Sequence, residues 1–352
     1  MRIRFAIVAV VLLAATAAAA ADTFKLSIGS GYPVGAVWVS TMKDIYVPRV
    51  TERVKKETGH TLVWTEARGG TVCKPSECLE AVQSGLLDIA DLQTGLEPSK
   101  LMANGFAFHV PFGSPDPRVV AKAAQEVYEK TPALKTLLEA RYNQVFLGAG
   151  VAGNYGLLTT FKWKDFSELK GHKIAAAGPN MAWMQGTGVT GVQSNLTEAY
   201  TSFQTGVYDG WVMFPDGVIS FKLQEVAKQF VEMDFGAVHI PMMTMNRKTW
   251  RSLPANVQKI FLEVGRDWNE RIGAVVYEKQ QAALKQMRDQ GVEVIQADLA
   301  TKQAWAKRLP NLPKLRFDEI NKAGMPGEAV YTYIKALKAA GHKFPRDWEA
   351  ER

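Results

Sequence analysis

The residues of this 352-residue sequence that could do chemistry are five histidines, two cysteines and a dispersed set of carboxylates. His60, His109, His172, His239 and His342 never fall in HxH, HExxH or HxxxH spacing, so the paired imidazoles of a zinc hydrolase are missing. No GxSxG elbow presents a serine nucleophile. Cys73 and Cys78 stand five apart in TVCKPSEC, a spacing that fits neither a CxxC redox pair nor a ligand set, and His60 is too isolated to complete one. The glycine-bearing stretch GSGYPVGAVW lacks the Walker lysine and the GxGxxG frame, and reads as a turn after a strand. With no nucleophile, acid–base pair, metal set or phosphate loop, neither an enzyme nor a cofactor is expected.

Residues 1–21, MRIRFAIVAVVLLAATAAAAA, have a positive start at Arg2 and Arg4, an apolar run and an alanine-rich end, the pattern of a cleaved secretory signal peptide. The run is shorter than the ~20 residues a bilayer needs, and no cysteine marks a lipid anchor. An exported, periplasmic protein is expected. Export makes a structural Cys73–Cys78 disulfide the default for the two thiols, closing the turn before the helical stretch CLEAVQSG. Cleavage also trims the surplus of 42 Lys+Arg over 35 Asp+Glu by two charges. The remaining lysines lie dispersed along helices, as at Lys55–Lys56 and Lys335–Lys338, so no nucleic-acid partner is expected.

The elements that must position any site alternate between strand and helix. TFKLSIG, TLVWTEA and LLDIADLQT read as strands separated by the helical stretches VSTMKDIYVPRVTERVKKETG and SECLEAVQSG, an α/β pattern. A second such series starts near Gly153, with DFSELKG, NMAWMQGTG and TEAYTSFQTG as its helices and EMDFGAVHIPMMTMNRKTW as a strand pair. From Pro254 to Gln290 apolar residues recur at helical spacing, a helix long enough to brace two lobes, and further helices follow in the tail. Two α/β lobes without catalytic residues suit a protein that closes on a ligand held between them.

At SELKGHKIAAAG (167–178) the sequence resembles the "DLKGLKIRVPG" element of the solute-binding subunits of TRAP transporters, the DctP-type family. LTEAYTSFQTGVYDG is similar to that family's "FGELYTALQQGVVDG", and LQEVAK, ECLEAVQSGLLDIA, FAFHVPF and LPANVQKIFLEVGRDWNERI add matches in the same order over residues 24–295. The resemblance implies a two-domain periplasmic binding protein, type II-like, with chain crossovers and a long helix spanning both lobes. Domain I is expected at 22–152 plus about 236–275, and domain II at 153–235 plus about 276–352 with a C-terminal helical extension. It further implies a monomer that captures a small organic acid and hands it to integral membrane TRAP permease subunits. A ligand-sensing receptor on the same scaffold is the competing reading.

Members of the family usually hold the ligand carboxylate with an arginine in the "KIR" strand, a bidentate geometry lysine cannot copy. Here that position is Ala175. A second cationic position falls on Tyr155, the asparagine of "DGQENP" on Met213 between Trp211 and Phe214, and the ring before the "GELY" helix on Leu196. An unpaired buried carboxylate costs several kcal/mol, so a more hydrophobic ligand, aromatic or branched, is expected. Its acid group then needs another partner. Arg68 in EARGG is the candidate, with Gln93 offering an amide and Tyr32 and Trp38 completing the expected site.

Overall fold

The structure is a computed structural model, and it describes residues 21–350. The expected signal peptide, Ala21 apart, lies outside the described residues, among which no helix is long and apolar enough to cross a membrane.

Lobe one is built on a sheet of β1 (Thr23–Gly29), β2 (Thr61–Ala67), β3 (Ile89–Gln93), β4 (Gln144–Ala149) and β10 (Pro241–Asn246), in the order β2-β1-β3-β10-β4. Alternation in β1 turns Leu26 and Ile28 into the core, and β1 pairs in parallel with both β2 and β3. Antiparallel β10 closes the sheet between β3 and β4. Lobe two holds β5 (Ala152–Thr159), β6 (Lys173–Ala176), β7 (Thr190–Gln193), β8 (Gly210–Met213), β9 (Gln229–Val238) and β11 (Glu293–Gln296), in the order β11-β9-β5-β8-β6-β7.

The chain therefore crosses between lobes at Ala149–Ala152 and again at Val238–Pro241. This corrects the expectation of one strand pair in EMDFGAVHIPMMTMNRKTW: its two strands lie in different sheets, β9 beside β5 and β11, β10 beside β3 and β4. Buried His239 ties the two crossovers together, donating from Nδ1 to the Gly150 carbonyl at 2.7 Å and accepting the Tyr128 hydroxyl at Nε2. Burial drives its pKa down to about 4, which keeps the ring neutral in that role.

The helix Ala255–Asp289 spans ~52 Å at 1.5 Å per residue and packs against both lobes. Val257, Ile260, Phe261, Val264, Trp268, Ile272 and Val276 form its buried face. Two amides on it grip the first crossover: Asn269 donates to the Ala149 carbonyl at 2.7 Å, and Gln280 accepts from the Asn154 amide at 2.8 Å. Two short helices expected in lobe two are 3₁₀ segments, Phe166–Leu169 and Gly178–Met184. The tail adds the helices Leu299–Arg308, Leu312–Lys322 and Glu328–Ala339, and its unexpected strand β11 is only four residues long. The tail then returns to the segment FAFHVPF, where Trp348 Nε1 donates to the Pro111 carbonyl at 3.1 Å.

Candidate functional site

In an α/β sheet, ligands gather beyond the carboxyl ends of the parallel strands. In lobe one those ends carry Ser30 and Tyr32 after β1, Arg68 after β2, and Asp91 and Gln93 on β3. Lobe two answers with Tyr155 on β5, Ala177 after β6, Phe214 after β8 and Leu196 in the loop after β7.

The lobes meet through rings. The indole of Trp38, in the helix Val37–Thr41, stands edge-on to Tyr32 with centroids 5.4 Å apart and to Phe214 across the cleft at 6.3 Å. Tyr155 meets Phe214 at 5.2 Å and Trp183 at 5.4 Å, both edge-to-face. Trp183 Nε1 then donates to the Phe108 carbonyl of lobe one at 2.8 Å. Such edge-to-face pairs match the positive ring edge to the negative face. The backbones also touch: Gly178 has φ +62°, and a Cβ there would lie 2.3 Å from the Gly95 carbonyl oxygen. Only glycine permits this degree of closure.

Enclosed between the lobes is a cavity of about 50 Å³ lined by Tyr32, Trp38, Gln93, Leu96, Phe108, Tyr155, Ala177, Leu196, Phe214 and Ile240. That is room for one or two waters at ~30 Å³ each, so this is a closed arrangement, and an organic ligand needs the lobes or rings to part. Tyr32 and Leu96 also line a wider mouth of about 530 Å³, bounded by Gly69, Gly70 and Lys74–Ser76 on one side and Asn195, Thr197 and Glu198 on the other. The mouth rests on the Cys73–Cys78 disulfide. Its loop packs so closely on the first turn that a Cβ at Gly31 would lie 2.3 Å from the Pro75 nitrogen.

The polar groups are few, and lobe two contributes Asp216, whose buried Oδ1 has no partner among the described residues and whose charge acts on Tyr155. The Arg68 side chain is 8% exposed; its Nε donates to Glu66 Oε2 at 2.9 Å, while Nη1 and Nη2 are buried without a partner among the described residues. Gln93 Nε2 donates to Asp91 Oδ2 at 2.6 Å, and Asp91 Oδ1 is buried without a partner among the described residues. Burial pushes the Asp91 carboxyl up to about 6, against the pull of the Ser30 hydroxyl, the Gln93 amide and the Arg68 charge. Burial likewise holds the phenols of Tyr32 and Tyr155 far above their ordinary pKa, so both stay protonated. Trp38 Nε1 is a further buried donor without a partner.

Tyr32, Trp38, Gln93, Tyr155, Leu196 and Phe214, chosen from sequence, thus come together around one cavity, whereas Arg68 is off that lining and precedes Gly69 and Gly70 of the mouth. The structure does not bring Ala175, Trp211 and Met213 onto that lining. All three are at most 1% exposed in the lobe-two sheet, where Trp211 packs on Phe203 and Tyr208. Phe108, Ile240 and Asp91 escaped sequence reasoning. Phe108 lies in FAFHVPF, a matched segment whose rings read as core, and Asp91 lies two residues before Gln93, on the same face of its strand.

A cleft between two α/β lobes, braced by one helix and lined with rings, defines a ligand-binding protein. The chain belongs to the family described as bacterial extracellular solute-binding protein, family 7 (DctP), whose model matches residues 39–318. A solute-binding protein of Sulfitobacter sp. (strain NAS-14.1) is 29% identical over 117 residues, 33% of this chain and 35% of that protein. Another, of Albidiferax ferrireducens, is 23% identical over 314 residues, 81% of this chain and 87% of its own.

Solved structures share the fold. A TRAP solute-binding protein from a marine metagenome, described as specific for aromatic acids and bound to 3-hydroxybenzoate, has a TM-score of 0.77 at 20% identity, covering 91% of this chain and 99% of that one. One from Bordetella bronchiseptica with bound (R)- and (S)-mandelate has a TM-score of 0.75 at 24% identity, covering 90% and 99%. The Bordetella pertussis receptor DctP7, which binds pyroglutamic acid, has a TM-score of 0.74 at 16% identity, covering 90% and 99%.

Proposed function

We propose that this protein is the periplasmic solute receptor of a TRAP transporter, that it captures an aromatic monocarboxylate in the cleft, and that it delivers this ligand to a membrane permease. The observation that carries the reading is the cavity lining: Tyr32, Trp38 and Phe108 from lobe one face Tyr155 and Phe214 from lobe two. Rings of this kind favour an aromatic ligand body through area burial and edge-to-face contacts. The absence of a cation at Ala175 and Tyr155 removes the lobe-two clamp expected for a dicarboxylate. Among the solved relatives, those binding 3-hydroxybenzoate and mandelate support an aromatic acid, and the one binding pyroglutamic acid keeps a compact monocarboxylate in the test set.

Thermal unfolding against benzoate, 3-hydroxybenzoate, mandelate, pyroglutamate, succinate and malate tests the proposal. An aromatic acid at about 100 times its dissociation constant should add ~2.7 kcal/mol, a clear rise in Tm. Stabilisation by succinate or malate, with none by the aromatic acids, would refute it.

A further inference from the structure

The rings account for the body of the ligand and leave its acid group without a partner, while lobe one holds buried polar atoms that also lack partners. Arg68 presents Nη1 and Nη2, the two-pronged end of the guanidinium, with neither prong bonded among the described residues. Its Nε is already taken by Glu66, which fixes the plane of the group. Two unused parallel N–H donors are the complement of a carboxylate. Asp91 Oδ1 is likewise unbonded, and no Arg68 nitrogen comes within ion-pair distance of the Asp91 carboxylate. Buried polar atoms are rarely left unsatisfied, and these flank β1 in the order β2-β1-β3; neither residue is on the cavity lining itself, which Tyr32 and Gln93 reach from the same strand ends. Tyr32 joins the two: it lines the cavity and the mouth, its carbonyl accepts from the Gly69 amide at 2.9 Å, and its phenol lies in the field of Asp91.

We infer that the ligand's acid group is received in lobe one by the Arg68 fork, with Asp91 taking part in its protonated form as a hydrogen-bond donor through Oδ1. This rests on the receptor function proposed above and adds what holds the acid and how capture responds to pH. The charge balance requires the proton. Arg68 can neutralise one anion; with Asp91 ionised, an arriving carboxylate would be a second, in a setting where an uncompensated charge is costly. As the ligand enters, one proton passes from solvent to Asp91, leaving Arg68 cationic, the ligand anionic and Asp91 neutral.

Around Asp91 stand Ser30 and Tyr32 after β1, Arg68 with its partner Glu66 on the β2 side, Gln93 on its own strand, and apolar Met243 opposite on β10. Arg68 is the charge that acts on Asp91, and the raised pKa of Asp91 places its titration near neutral pH. Affinity should therefore be greatest at mildly acidic pH and fall as pH rises past the Asp91 titration, by about tenfold per unit at the steepest.

The test is calorimetric titration of the full mature chain and its variants with benzoate, 3-hydroxybenzoate, mandelate, pyroglutamate and succinate from pH 6 to 8.5. Two buffers of different ionisation heat give the proton count. The wild type should take up a proton on binding above pH 6.5. Arg68→Gln should weaken the best of the five about a hundredfold or more, while its ligand-free melting temperature stays level or rises, since two buried unbonded prongs are removed and only the bond to partly exposed Glu66 is lost. Asp91→Asn keeps a donor and should bind with a flat pH profile. Arg68→Gln within about threefold of wild type, a pH-independent wild type, or an Asp91→Asn variant that keeps the wild-type slope would each overturn the inference. If succinate alone binds, the aromatic reading fails, yet loss of succinate binding in Arg68→Gln still upholds the anchor. If none of the five binds, both fall.

Discussion

On the lobe-one wall of the cleft, the ends of three parallel strands hold Ser30, Arg68, Asp91 and Gln93, with several of their polar atoms unpaired. On the lobe-two wall, β5, β6 and β8 deliver Tyr155, Ala177 and Phe214, and beneath them lie Ala175 and Trp211. Both walls are strand ends of α/β sheets, so the fold does not dictate which one carries the charge. What differs is the residue set at equivalent strand ends. Lobe two meets the cavity with rings that pack edge-to-face, and its Asp216 Oδ1 is buried without a partner among the described residues; lobe one brings the unbonded Arg68 fork and Asp91 Oδ1. Under the proposed anchor, the division of labour is polar capture on one side and apolar discrimination on the other.

Phe214→Ala should show the largest effect on this contrast. It removes the ring that meets both Trp38 and Tyr155, costing about 3 kcal/mol in denaturant unfolding and about a hundredfold in aromatic-acid affinity. Unchanged affinity would move discrimination off lobe two.

Asp91→Asn should stabilise the ligand-free protein at pH 8 by on the order of 2 kcal/mol. The folded pKa, about 6, lies above the ordinary carboxylate value. The folded state therefore holds the proton more tightly than the unfolded chain, and the wild type loses stability as pH rises through that window. The gain should vanish near pH 4, and a gain independent of pH would mean the carboxyl is not the cause.

Replacing both Cys73 and Cys78 with serine should cost roughly 2 kcal/mol or less, the chain-entropy value for so short a loop. Its sharper readout is affinity, which should fall a few-fold if the loop against Gly31 helps shape the lobe-one wall. Gly178→Ala, smallest of the four in its effect on stability, should weaken binding about tenfold through its clash with Gly95. A ligand-free melting temperature close to wild type, with a larger radius of gyration in the presence of ligand, would assign the loss to blocked closure.

Much of this architecture can be read from local pattern. Alternation marks β1, and 3.6-residue periodicity marks the helix Ala255–Asp289, because each buries one face against a large core. β11 escaped notice because four partly exposed residues carry no pattern until β9 is beside them. β9 and β10 looked like neighbours because a strand break is visible in sequence, while a change of sheet is not. In the site, the resemblance favours Trp211, whose segment DGWVMFP falls on the family's cleft motif, over Trp38, which lies in no matched motif. The structure places Trp38 on the cavity and Trp211 against Phe203 and Tyr208 in the body of lobe two.

Residue order alone establishes what is chemically possible: no catalytic set, two α/β series, a pair of cysteines able to bridge, and no arginine at Ala175 or Tyr155. These follow from residue type and short-range spacing. Folding in three dimensions is what makes Arg68 a buried, half-bonded guanidinium whose charge acts on Asp91 and not a solvated loop residue, and what brings rings from both lobes around one cavity. The reason is that burial and hydrogen-bond satisfaction belong to the space between strands distant in the chain, and that space exists only once the crossovers have set one lobe against the other.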